Sequence, residues 1–161
     1  MRKIIIGIDP GTRGVMCVHY TSTGVYEHIP LADIMRVRTE LEAARVVGDC
    51  FAVIEDVHSM PGQGVATTFK FGFNTGMVVG MVIQSGIPYT RAAPQRWQRV
   101  MWCPQDKVSH QGKVDTKTTS LNAAVRLHPE MNFKRTERCK KFDDNMVDAT
   151  LICDYAKIMN L

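Results

Sequence analysis

The chain has 161 residues, 45% apolar and 22% charged, a balance that fits one folded domain with a packed core and argues against disorder over its length. Its net charge of +4 permits a polyanionic partner without naming one. The five cysteines are odd in number and form no CxxC pair, so a reducing compartment is expected rather than a disulfide framework. A zinc site from Cys103, His110, His128 and Cys139 lacks finger spacing. Arg2 and Lys3 precede only a short apolar run that soon meets Asp9, which is no secretory signal, and no stretch reaches membrane-span length. A soluble protein of the cytoplasm is the expectation.

In chain order, "KIIIGID" predicts a first strand buried on both faces, because β-branched residues dominate and polar alternation is absent. "GVMCVHYT" and "GVYEHIPL" predict two more strands joined by a short turn, hence antiparallel hairpins. "ADIMRVRTELEAARVVG" predicts an amphipathic helix with Ile34, Val37, Leu41, Ala44 and Val47 on its stripe and Gly48 as its stop. "FAVIED" predicts a fourth buried strand ending in acids.

After the loop "HSMPGQG", a long helix is expected over about 65–85. It carries Gly72, Gly76 and Gly80 on one face, each costing about 1 kcal/mol against alanine. Close approach of that face to another backbone would offset the cost. "GIPYTRAA" predicts a fifth strand, and "PQRWQRVMW" a short helix opened by Pro94. "CPQDKVSHQGK" and the basic "MNFKRTERCKK" read as loops. Helices are expected at "DTKTTSLNAAVRLHP", capped by Asp115 or Thr116, and at "DDNMVDATLICDYAKIM". The plan is α/β: a mixed five-stranded sheet, three antiparallel strands then two parallel, flanked by helices.

Four acids stand out. Asp9 and Glu55 end two strands expected to run parallel, so they should meet at one sheet edge. Asp144 and Asp148 are four apart on a helix, hence on one face. Singly, each has a plain role: Asp9 before Pro-Gly as a turn-former, Asp143 and Asp144 as helix-capping acids. Jointly they suggest a carboxylate cluster, with Asp148 set among apolar helix residues where an acid needs a partner. An all-oxygen site of this kind suits Mg²⁺ or Mn²⁺. Two such ions about 4 Å apart form the clamp used in phosphodiester hydrolysis.

"GIDPGTRG", "VIEDVHSMPGQG", "KFGFNTGMVVGMVIQSGIPYTRAAPQRWQ" and "DDNMVDATLICDYA", in that order, resemble the RuvC-like Holliday junction resolvases, especially compact phage-type members. The resemblance covers nearly the whole chain, 1–161. It implies an RNase H-like fold, a homodimer, and cutting of four-way DNA junctions with two Mg²⁺ ions per site. Relatives differ between strict four-way junction cutting and broader cutting of forks, flaps and other branched DNA. Asp9, Glu55 and Asp148 match the family's carboxylates. For the fourth position Asp144 is the better acid candidate, because four-residue spacing keeps one helix face, with Asn145 and Asp143 as alternatives. Lys117 resembles the family's basic residue near the scissile phosphate, and is otherwise a solvated helix residue. Some relatives carry an aromatic wedge after the first Glu; here His58 and Met60 occupy that region, so the wedge is either absent or supplied by Phe69, and the plainer reading of Phe69, Phe71 and Phe73 is core and dimer packing. Thr12, Arg13, Arg99, Lys134, Arg135, Arg138, Lys140 and Lys141 are the expected DNA contacts, with Arg91 and Arg96 beside them. The Gly72/Gly76/Gly80 helix matches the family's dimer helix.

Two other classes compete. A sugar-kinase or actin-like ATPase opens with a similar phosphate loop, but needs two related domains. A catalytically idle junction- or RNA-binding module on the same fold would not require the acids.

Overall fold

A computed structural model describes residues 3–58, 62 and 64–161. One mixed sheet has the order β3-β2-β1-β4-β5. Its strands are β1 (Ile4–Asp9), β2 (Val15–Tyr20), β3 (Val25–Pro30), β4 (Cys50–Glu55) and β5 (Tyr89–Ala92). β1, β2 and β3 pair antiparallel, while β4 lies parallel to β1 and β5 parallel to β4, as the sequence predicts.

The helices are α1 (Ile34–Val47), α2 (Val65–Gln84), α3 (Pro94–Met101), α4 (Thr116–Leu127) and α5 (Asp144–Ile158). They cover the sheet in two layers, because β1 is apolar on both sides. Ile4, Ile6 and Ile8 face a core completed by Val37 and Leu41 of α1 and by Val78 and Val82 of α2. Ile5, with Cys17 and Val53, faces a core built by α3, α4 and α5. Odd-numbered β1 residues therefore look toward α5, and Asp9 is the last of them.

Three expectations need correction. Within a single chain, the glycine face of α2 is approached by no other backbone: among the described residues, a Cβ added at Gly72, Gly76 or Gly80 would meet nothing within 4 Å. The close approach is at Gly7 instead, where a Cβ would stand 2.3 Å from the Ala149 carbonyl oxygen and 2.5 Å from the Cys153 nitrogen. That missing side chain lets α5 lie directly on β1. Within the loop expected after Trp102, Pro104–Asp106 forms a 3-10 turn, and β6 (Ser109–His110) and β7 (Lys113–Val114) form a small ribbon. Finally, the α1 stripe is buried only at Val37, Leu41 and Ala44, with Ile34 and Val47 exposed at the helix ends.

Candidate active site

The register places the first two acids together. Ile8 of β1 pairs with Ile54 of β4, so Asp9 and Glu55 follow as neighbours on adjacent parallel strands, both buried. Asp9 turns sharply into the next loop because Gly11 donates its N–H to Asp9 Oδ1 at 2.9 Å. Asn74 of α2 braces that loop, donating from Nδ2 to the Gly11 carbonyl at 3.0 Å.

Above them, Asp143 caps α5 and accepts from the Asn145 N–H at 3.0 Å. One turn further along, Asp148 points into the same corner. The residue is only partly buried, yet its Oδ1 is shielded from solvent and has no hydrogen-bond partner among the described residues.

The partners sort these acids into two kinds. Asp143 is held by a cation, Arg135 Nε, at 2.5 Å, and Asp144 by another, Lys117 Nζ, at 2.6 Å. Asp9, Glu55 and Asp148 have only neutral donors: the Gly11 N–H, the Trp97 indole at 2.9 Å from Glu55 Oε1, and the Ser120 hydroxyl beside Asp148. No cation is hydrogen-bonded to any of the three among the described residues.

Electrostatics follow that division. Burial pushes Asp9 up to about 6 against the Gly11 hydrogen bond, with the charges of Asp143 and Asp144 adding to the rise. Burial, then the charge of Asp9, pushes Glu55 up to about 7, against the Trp97 bond. Asp148 is raised well above the ordinary carboxylate range by burial and then by Asp9 and Glu55. Asp143 goes the other way: burial raises it, but the Asn145 amide and the Arg135 guanidinium together hold it low. Three mutually repelling acids with neutral donors are a donor set of the type that suits a hard cation.

Two observations test the fit of such a cation. Asp148 Oδ1 is an orphaned buried acceptor. At Gly11 an added Cβ would lie 3.1 Å from Asn145 Oδ1 and 3.2 Å from Asp9 Oδ1, so a side chain there would crowd both oxygens. The donor set fits a divalent cation. Asn145 donates through Nδ2 to Asp143, which turns its Oδ1 to the Asp9 side. Among the described residues, no three His, Cys, Asp or Glu side chains converge closely enough to hold one ion together.

The basic residues divide as well. Arg13, Lys117, Arg135, Lys140 and Lys141 line one depression of about 510 Å³ with Asp143, Asp144 and Asn145. Arg135 is tied down there, donating to Asp143 and to the Arg13 carbonyl oxygen. Lys134 lies over the Phe142 ring at 5.7 Å. Thr12, Arg138 and Arg99 are exposed, Arg99 on the solvent side of α3. Arg91 is engaged by Asp56 at 3.1 Å. His58 is exposed, 3.9 Å from Asp56 Oδ2, and Phe69 is exposed on α2. Met60 lies outside the described residues.

Asn74, Trp97 and Ser120 are absent from the sequence-level site. Trp97 and Met101 share an i, i+4 spacing that announces a core stripe, but nothing in that spacing says where the indole N–H points.

No family model matches the chain, and no curated relative matches it in sequence. Solved structures match it in fold, two of RuvC among them. One is T. thermophilus RuvC in complex with Holliday junction substrate, at 12% identity and a TM-score of 0.57. The other is Thermus thermophilus RuvC, at 15% identity and a TM-score of 0.53. Each match covers 98% of this chain and 96% of the other. The chain thus carries the RuvC fold, the RNase H-like α/β architecture, over almost its whole length.

Proposed function

We propose that this protein is a Mg²⁺-dependent, structure-selective endonuclease that cuts Holliday junctions, with forks and flaps as further substrates. One observation carries the reading: three acids that feel one another's charge, with no cation bonded to them among the described residues, lie at the end of the sheet beside a depression lined with cations. The solved RuvC complex with a Holliday junction adds support at the level of fold.

Asp9, Glu55 and Asp148 would hold the metal, with the Asn145 carbonyl as fourth ligand, since Asp144 and Asp143 are already neutralised by Lys117 and Arg135. When bound, divalent cations supply a hydroxide nucleophile near neutral pH and charge relief at the leaving oxygen. Lys117, solvated but beside Asp144, is placed to meet the scissile phosphate. Thr12, Arg13, Lys140 and Lys141 would seat the flanking backbone, a role that positions DNA without reading sequence.

The homodimer belongs to this reading. Val65, Phe69 and Phe73 stand exposed on α2, and its glycines leave that surface open to a second copy. A twofold dimer would present two sites to a twofold junction. A monomeric mass by light scattering, with and without junction DNA, would refute it.

A second reading, an idle binding module, draws support from the lack of three converged ligands among the described residues. One assay separates the two: synthetic junction, fork, flap and RNA–DNA hybrid, each with Mg²⁺ or Mn²⁺. Cutting of the junction by wild type and none by Asp9→Asn, with binding retained, is expected. Binding without any cutting by wild type would select the idle module.

A further inference from the structure

We infer that Trp97 is a positioning residue for Glu55, setting that carboxylate's orientation with a neutral donor so that one oxygen, Oε2, and the full negative charge stay available to a divalent cation. This rests on the reading of Asp9, Glu55 and Asp148 as ligands.

The placement follows from the chain. Glu55 pairs with Ala92 at the end of β5, and the Asp56 N–H bonds the Ala92 carbonyl oxygen at 2.8 Å. Pro94 starts α3 two residues later, so the first turn of α3 emerges alongside Glu55. Trp97 is fully buried and lies edge-on to Trp102, with ring centroids 6.4 Å apart. Its Nε1 is 2.9 Å from Glu55 Oε1.

Satisfying a buried indole could by itself explain the bond. The neighbouring Trp102 argues otherwise, because its own Nε1 is buried with no partner. This core tolerates an unpaired indole, yet the one beside Glu55 is paired. The kind of donor matters too. A lysine or arginine there would neutralise Glu55, as Lys117 and Arg135 do for Asp144 and Asp143. An indole fixes the rotamer and adds no charge. Groups that orient a metal-bound carboxylate in this way change metal affinity by about 10–100-fold when removed.

The test is Mn²⁺ affinity by calorimetry, without DNA, in wild type, Trp97→Phe, Glu55→Gln, the double variant and Asp9→Asn. Trp97→Phe should bind about tenfold more weakly. It should add nothing once Glu55→Gln is present. Adding Mg²⁺ should also shift the Trp97 indole proton resonance in wild type and leave it still in Asp9→Asn. Wild-type affinity in Trp97→Phe, alongside loss in Asp9→Asn, overturns the proposal alone. Wild-type affinity in Asp9→Asn overturns the ligand reading and the proposal with it. A Trp97→Phe loss that persists undiminished in the Glu55→Gln background marks mere packing and also overturns it. If Trp97→Phe does not fold, the same titration on a benzothienylalanine isostere at position 97, in a Trp102→Phe background, decides: the shape is kept and only the N–H is gone.

Discussion

A buried acid whose bonded donors are neutral has no opposite charge to offset its own, so ionising it is costly and its neighbours feel the charge. Asp9 is therefore a source of strain in the metal-free protein, where burial and nearby acids oppose its ionisation. Asp9→Asn keeps the shape and an acceptor for the Gly11 N–H. At pH 7.5 in chelator it should unfold later than wild type, by about 1–3 kcal/mol in urea, the scale of a shift of this size. Excess Mg²⁺ should reverse the order, because only wild type gains from binding. Asp143→Asn should behave oppositely, since it strands Arg135 and weakens the α5 cap.

Among the elements, α5 matters most to the site, because it brings Asp148 to the sheet and rests on Gly7. Gly7→Ala would drive a Cβ into two backbone atoms of α5. The expected cost is about 3 kcal/mol or more in urea unfolding, with weaker metal binding because Asp148 moves with the helix. The far part of α5 has its own polar anchor. Asp154 accepts from the Tyr26 hydroxyl at 2.5 Å and pairs with His128 Nε2 at 2.6 Å. Burial pulls the His128 pKa down, but the Asp154 bond and charge, with Glu130, outweigh it and leave it raised above 6.5. A raised imidazole stabilises the fold fully below its unfolded value and loses that contribution as pH rises through its folded value. The stability gap between wild type and His128→Gln should thus be widest below about pH 6.5 and shrink on going alkaline, measured by urea unfolding across pH.

These elements also show what a sequence reveals. Runs such as "KIIIGID" and "FAVIE" declare buried strands, and the short turn between the second and third strands forces antiparallel pairing, so sheet order was readable. Asp9 and Glu55 became neighbours as soon as the strands were parallel. What stayed hidden was the partner of each group. Gly72, Gly76 and Gly80 form a visible pattern and touch nothing here, whereas the lone Gly7 makes the tightest contact. No local spacing says that Lys117 would find Asp144, Arg135 Asp143, or Trp97 Glu55, because each pairing is made by the tertiary fold.

At the scale of the molecule, cations gather at one end of the sheet while the total charge is modest. Lys140 and Lys141 border the depression without appearing in any ion pair among the described residues. Replacing both by Ala should lower the slope of log binding constant against log salt by about 2 on a four-way junction, read by anisotropy in Ca²⁺. Thermal stability should change little, as exposed lysines contribute little to folding.

The reliance of β1 on α5 has a consequence for synthesis. Asp9 and Glu55 leave the ribosome well before Asp148 and the helix that seals β1. A growing chain holds two acids of the cluster, no third, and a sheet with one face bare. The site therefore assembles only after translation has passed α5, and a nascent chain stalled before residue 140 should be degraded by protease and retain no metal. If the proposed nuclease reading holds, the growing chain cannot cut any nucleic acid it meets while still being made.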